Sequence, residues 1–187
     1  GLLQIGEAEK AQEDIMDTTR TQRVAVSRIM NQIRQPSVGA LLVGKTSRAN
    51  ELGIHLRLDR ESTLSEESLW LPPEAYVTIL GNLIENAIEV LNQSRRAIKE
   101  VSVSIRESED SLLLCVEDTG PGISPALRQT LFQRGVSTKG RSRGTGLALV
   151  QEVVEAYHGQ IRVESEPGVG TSFFVSFCRE EVPEDGE

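Results

Sequence analysis

Five polar side chains recur along one side of the segment EAYVTILGNLIENAIEVLNQ. At about 100° per residue, Asn82, Glu85, Asn86, Glu89 and Gln93 share one arc, and Tyr76, Leu80, Leu83, Ile84, Ala87 and Leu91 share the opposite one. A surface helix ordinarily mixes lysines and arginines into its polar arc. This one holds only amides and carboxylates. Hard oxygen donors of that kind suit Mg²⁺, which shares its coordination shell with phosphate. A solvated acidic face is the competing reading of the same residues.

Two glycine-rich stretches follow. In VEDTGPGI, Asp118 stands directly after a strand-like run and can accept a hydrogen bond from an exocyclic amine such as that of adenine. Gly120 and Gly122 let backbone approach a flat ring closely, and Pro121 stiffens the turn. In GRSRGTGLALV, Gly144, Thr145 and Gly146 lead into an apolar helical run. A helix start offers unpaired N–H groups and positive potential to phosphate. Lys139, Arg141 and Arg143 gather just before it in an otherwise acidic chain. A plain turn and a solvated loop are the alternatives for these two stretches.

A third stretch matches a phosphate-binding pattern more literally. Gly39 to Thr46, GALLVGKT, fits the P-loop spacing G-x-x-x-x-G-K-[ST]. A true P-loop follows a buried strand. Here a charged helix and Pro36 precede it, and Val38, Leu41, Leu42 and Leu52 recur at helical spacing. The expected structure is therefore an amphipathic helix capped by Gly53, with the nucleotide bound elsewhere.

The elements that must position these residues are legible in outline. Glu7 to Arg34 is predicted as a helix with acids at its start and bases at its end, an order that suits the helix macrodipole. Its apolar stripe of Ile15, Val26, Ile29, Met30 and Ile33 calls for a partner helix, and GLLQIG reads as the tail of one. Alternation predicts strands at Ile54 to Leu58, Val101 to Ile105, Leu112 to Val116, Ile161 to Glu164 and Phe173 to Phe177. Helices are predicted from Pro72 to about Gln93 and from Gly146 to Tyr157, the latter closed by Gly159. Strands gathered late with helices among them imply helices on one face of a mixed sheet.

The totals exclude several classes. The 187 residues suffice for one domain and a smaller appendage. With 28 acidic against 20 basic residues the net charge is −8, which argues against a nucleic-acid partner. No apolar run approaches the roughly 20 residues that cross a bilayer. Cys115 and Cys178, far apart in strand-like runs, are expected to be buried thiols of a reducing compartment.

In this order the stretches resemble the catalytic, ATP-binding domain of sensor histidine kinases, within the gyrase, chaperone, kinase and MutL ATPase superfamily. The resemblance spans about Leu52 to Cys178 and rests on an N box (Asn82 to Asn86), a first glycine box (Asp118 to Gly122), a phenylalanine box (Phe132) and a second glycine box (Gly144 to Gly146). LGNLIENAIEVL, RGVSTKGRSRGTGLALV and the upstream GKTSRANELGI are similar to the citrate and C4-dicarboxylate sensor kinases.

The resemblance implies an α+β fold, a two-layer α/β sandwich of the Bergerat type, preceded by a helical dimerisation segment. Residues 1–50 would be the remnant of a histidine-phosphotransfer hairpin, 51–181 the ATP domain and 182–187 a frayed acidic tail. ATP and Mg²⁺ are the implied cofactors. Asn86 would carry the metal, with Asn82 and Glu85 beside it, and Glu85 could help deprotonate the acceptor. Asp118, Gly120 and Gly122 would hold adenine; Lys139, Arg141, Gly144, Thr145, Gly146 and Leu147 would hold the phosphates under a short lid. Asn82 stands where hydrolysing members carry a glutamate, so transfer rather than hydrolysis is expected. The chain's two histidines, His55 and His158, fall outside the helical segment, and the acceptor histidine is expected upstream of Gly1. A response regulator, a homodimer through the helical segment, a cytoplasmic site and a membrane-anchored parent protein complete the implied picture. A hydrolysing ATPase of the same superfamily and a non-catalytic nucleotide-binding or dimerisation module are the alternatives.

Overall fold

The computed structural model describes residues 2–132 and 144–179. Ten elements run in chain order: α1 (Leu2–Gln32), α2 (Pro36–Glu51), β1 (His55–Leu58), α3 (Pro73–Gln93), β2 (Glu100–Glu107), β3 (Ser111–Asp118), α4 (Pro125–Arg128), α5 (Gly144–Ala156), β4 (Gln160–Glu166) and β5 (Gly170–Cys178). The strands form one sheet in the order β1-β2-β3-β5-β4. Only β1 and β2 run parallel; the other pairs are antiparallel. That single parallel pair requires a crossover, and α3 supplies it.

Alternation sets the register. Val103 pairs with Val116, Val116 with Phe173 and Val163 with Phe173, so each strand turns the same side chains toward the helices. Those side chains are buried, while Ser102, Glu117 and Ser172 lie on the opposite face. A slip by one residue would exchange the two sets, and the buried face makes that prohibitively unfavourable. Helix α3 is the centre of the core, with nine buried residues along its 21, among them Tyr76, Ile79, Leu80, Leu83, Ile84 and Leu91. It packs between α2 and α5, over β2 and β3.

GALLVGKT lies within α2, as the absence of a preceding strand implied. Gln35 caps the helix, its side-chain oxygen accepting from the Val38 N–H at 2.8 Å, and Pro36 takes the first helical position. The helix closes in a Schellman motif: the Ile54 N–H donates to Ala49 O at 2.8 Å and the Gly53 N–H to Asn50 O at 3.1 Å. Gly53 sits at φ +71.

Four expectations need correction. GLLQIG is not the tail of a separate helix: α1 is continuous from Leu2, passing through Gly6. Because α1 begins earlier than expected and ends at Gln32, its first turn holds no acid and its last turn no base. The dipole effect fades within the terminal turns, so it does not organise these charges. Helix α5 is closed by His158 rather than Gly159. His158 adopts φ 58, while the Gly159 N–H donates to Val154 O at 2.9 Å. Gly159 is small for another reason, since a β-carbon there would collide with the Phe177 ring. Finally, Cys115 is buried but Cys178 is exposed, at the end of β5; both are free thiols.

Candidate functional site

The polar arc of α3 is not a solvated face. Asn82, Glu85, Asn86 and Glu89 are all half-buried, and only Gln93 is exposed. Besides α2, which covers Glu85, two structural neighbours meet this helix. At one end, α5 packs on α3, and a β-carbon at Gly146 would lie 2.9 Å from Asn82 Oδ1. The Asn82 amide nitrogen donates to Thr78 O at 2.7 Å, which fixes which end of the amide faces Gly146. The second glycine stretch therefore meets the N-box amide directly, and a larger residue at 146 would have to displace that amide.

Eight residues further along the same helix, Val90 meets the first glycine stretch. A β-carbon at Gly120 would lie 2.8 Å from Val90 Cγ1 and 2.7 Å from Asp118 Oδ1. The Gly120 N–H donates to that same oxygen at 2.8 Å. Asp118 follows Leu112, Leu114 and Val116 on the helix-facing side of β3. Asn82 and Val90 are about 12 Å apart along α3 at 1.5 Å per residue. One helix thus touches both glycine stretches, the first near its C-terminal half and the second near its middle.

The Gly120 loop rests on the β4–β5 turn. The Gly168 N–H donates to Pro121 O at 2.8 Å, and the Ile123 N–H to Ser165 Oγ at 2.7 Å. Gly122 sits at φ +80, with Glu166 O where a β-carbon would go, 2.5 Å away. No other residue type satisfies both conditions. Phe132 is half-buried and meets Phe173 edge-on, ring centroids 6.5 Å apart.

Glu85 is held differently from the other members of its arc. Lys45 Nζ lies 2.7 Å from Oε2, and Arg48 Nη2 lies 2.6 Å from Oε1, with Arg48 Nε at 3.0 Å. Burial alone would raise the pKa of Glu85, but the bonds from Arg48 and Lys45 and their charges outweigh it and hold the carboxyl below its ordinary value. Both oxygens carry a cation, so in this arrangement Glu85 is a poor proton acceptor. Lys45, the lysine of the P-loop pattern, thus has a partner no pattern search would assign to it.

The remaining expected site residues are placed as follows. Leu147 is buried in the core, so only its backbone is available to a ligand. Gly144 and Thr145 open α5. Lys139, Arg141 and the tail 182–187 lie outside the described residues. His55 is exposed on β1 and His158 is exposed at the α5 cap, and neither lies on α1 or α2. Arg96, which sequence reasoning passed over, donates through Nη2 to Gly120 O at 3.1 Å and to Gly168 O.

A mixed sheet covered on one face by helices, with two glycine turns meeting one amide-rich helix, defines a nucleotide-binding ATPase domain of the α/β sandwich type. The family of histidine kinase-, DNA gyrase B- and HSP90-like ATPases matches residues 72–181, and the chain belongs to it. Over all 187 residues it is 38% identical to the sensor histidine kinase DcuS of Escherichia coli (strain K12), covering 33% of that protein. It is 38% identical over 176 residues, 94% of this chain and 33% of the other, to "Probable C4-dicarboxylate sensor kinase" of Halalkalibacterium halodurans. The full-length structure of ShkA in complex with AMPPNP superposes with a TM-score of 0.61 at 26% identity, over 76% of this chain and 29% of that one. The chain spans about a third of the length of the curated relatives it matches. Among the described residues, no helix is long and apolar enough to cross a membrane.

Proposed function

We propose that this chain is the ATP-binding catalytic domain of a sensor histidine kinase, passing the γ-phosphate of ATP to a histidine for relay to an aspartate of a response regulator. The observation that carries this reading is the double contact of α3, with Gly146 against Asn82 and Gly120 against Val90. Adenine would lie at Asp118, Gly120 and Gly122. The phosphates would run toward Asn82 and the start of α5, where Gly144, Thr145, Gly146 and the Leu147 backbone, with Lys139 and Arg141, would meet them.

Asn86 and Asn82 offer amide oxygens on the half-buried arc, a donor set that fits Mg²⁺ held mainly by nucleotide phosphates. When bound, the ion would neutralise charge on those phosphates. The chain's own residues bind, orient and exclude water. Phosphoryl transfer is mostly positioning and electrostatics, so little more is required of them. The place of a hydrolytic glutamate is taken by Asn82, whose amide is engaged with Thr78 O. That favours transfer over hydrolysis. The exposed positions of His55 on a strand and His158 in a cap favour an acceptor histidine supplied from outside this chain. The whole protein would be a membrane-anchored dimer with this part in the cytoplasm, sensing a citrate- or dicarboxylate-like signal.

The test is calorimetric titration with Mg²⁺-ATP, followed by γ-phosphate-labelled ATP with a separate helical segment carrying a histidine. Expected are binding that Asp118→Ala weakens about tenfold or more, label on the added segment and none on this chain. Unchanged binding by the variant, or acid-labile label on this chain that vanishes in His55→Ala or His158→Ala, would overturn the reading.

A further inference from the structure

We propose that Arg96 is a positioning residue for base recognition, acting on Asp118 through the backbone of Gly120. The inference deepens the nucleotide-site reading above and rests on it. Arg96 lies three residues beyond the end of α3, half-buried, in the connection to β2. Its Nη2 donates to two carbonyls at once, Gly120 O at 3.1 Å and Gly168 O. These belong to different loops. Gly120 is in the turn that follows Asp118, and Gly168 is in the β4–β5 turn.

The bonds around Arg96 close a ring. Gly168 receives Arg96 at its carbonyl and donates its N–H to Pro121 O at 2.8 Å. Gly120 receives Arg96 at its carbonyl and donates its N–H to Asp118 Oδ1 at 2.8 Å. Each glycine is therefore held at both ends. The Gly120 N–H, in the Thr119–Gly120 peptide, meets the Asp118 carboxylate, and Arg96 holds the next peptide, Gly120–Pro121, so it acts on Asp118 through the backbone angles of Gly120. Val90 Cγ1 and Asp118 Oδ1, at 2.8 Å and 2.7 Å from the position of an absent β-carbon, leave no room for a side chain at Gly120, so its backbone lies close against both.

An arginine suits this role better than a lysine. Its planar guanidinium presents fixed, permanently charged donors, and bonds from an ionised donor are the stronger kind. An ammonium has three donors and can reach two carbonyls, but on a flexible stem without a fixed plane it holds two loops in a looser relation. Arg95, the exposed neighbour, carries the same charge in the same connection. It serves as the control for charge alone.

The experiment compares Mg²⁺-ADP with Mg²⁺-IDP, which lacks the exocyclic amine, in parent chain, Arg96→Ala, Arg96→Lys and Arg95→Ala. If Arg96 acts through the aim of Asp118, Arg96→Ala loses about tenfold in ADP affinity and little in IDP affinity, so the preference for ADP collapses. Arg96→Lys retains part of the preference, and Arg95→Ala all of it. Hydrogen exchange at the Gly168 amide should quicken in Arg96→Ala while the core strands stay protected. Equal losses for ADP and IDP, or a preserved preference, would mean that Arg96 only braces the fold, and the inference falls while the nucleotide-site reading stands. A parent chain with no preference for ADP brings down the base-recognition reading itself, and the inference with it. Should Arg96→Ala fail to fold, Arg96→Lys decides: an undiminished preference for ADP overturns the proposal.

Discussion

Cysteine reacts as its thiolate, so the environment of each thiol decides its chemistry. Burial pushes Cys115 up to about 12, and the negative charges of Glu117 and Glu164 add to the effect. Cys178 is exposed. A maleimide at pH 8 should therefore modify one cysteine in the folded chain, Cys178, and two after denaturation; mass spectrometry reads the count. Gly146 makes a second test at this scale. Alanine gains about 1 kcal/mol over glycine in a helix interior and less in the first turn, where Gly146 stands. Its methyl would lie 2.9 Å from Asn82 Oδ1, on a side chain anchored to Thr78. These effects oppose each other in stability but not in binding. Gly146→Ala should melt near the parent temperature yet bind Mg²⁺-ATP about tenfold more weakly, as calorimetry would show. The half-buried polar arc of α3 was legible in the sequence because an amide and carboxylate face without lysine or arginine is unusual on a helix. The partner of Glu85 was not, because Lys45 and Arg48 lie 40 and 37 residues away and reach it only once α2 packs on α3.

That packing is the main event at the scale of elements. Helix α2 lays Leu41 against Gly81 of α3, 3.7 Å from where a β-carbon would be, and closes the contact with the Lys45–Glu85–Arg48 cluster. Glu85 has its pKa lowered in the fold. A depressed carboxylate pKa stabilises above the unfolded value, about 4.3 for glutamate, and that stabilisation is lost as pH falls through the folded value. Glu85→Gln should therefore lower the melting temperature by about 2–4 °C at pH 7, and the gap to the parent should close in acid below the unfolded value. A gap independent of pH between 7 and 3 would show that the cluster contributes no charge-dependent stability. Elements with one buried face were readable from alternation or helical spacing, which is why the strands and α3 emerged near their observed limits. Helix α4 was missed although Ser124 caps it and Pro125 opens it, because four residues with none buried leave no periodic trace. The start of α1 was missed because Gly6 reads as a break. A glycine inside a helix costs only about 1 kcal/mol, too little to interrupt this one.

At the scale of the whole molecule, α1 is the element the fold does not cover. Ile29 and Ile33 are buried against the body, whereas Ile15 and Met30, on the same face of the helix, are 65% and 45% exposed. At about 100° per residue Ile15, Val26 and Met30 fall within an arc of about 60° that continues the buried pair. The apolar stripe thus leaves the body and runs along an exposed helix toward its N-terminal half. A helix of that length gains its stability from burying such a stripe rather than from propensity; Met30 rests beside Gly39 of α2, whereas Ile15, further toward the N-terminus, is 65% exposed. A second copy of the same segment offers a matching stripe, which is the basis of the dimer proposed for this protein. Sedimentation should then show self-association that grows with concentration. Ile15→Glu, placed where the body makes no contact, should shift the chain to monomer by setting a charge into the apolar seam. The same variant should leave Mg²⁺-ATP affinity unchanged, because Ile15 is remote from α3. A chain that stays monomeric at every concentration, or a variant that associates as the parent does, would remove α1 as the dimer contact.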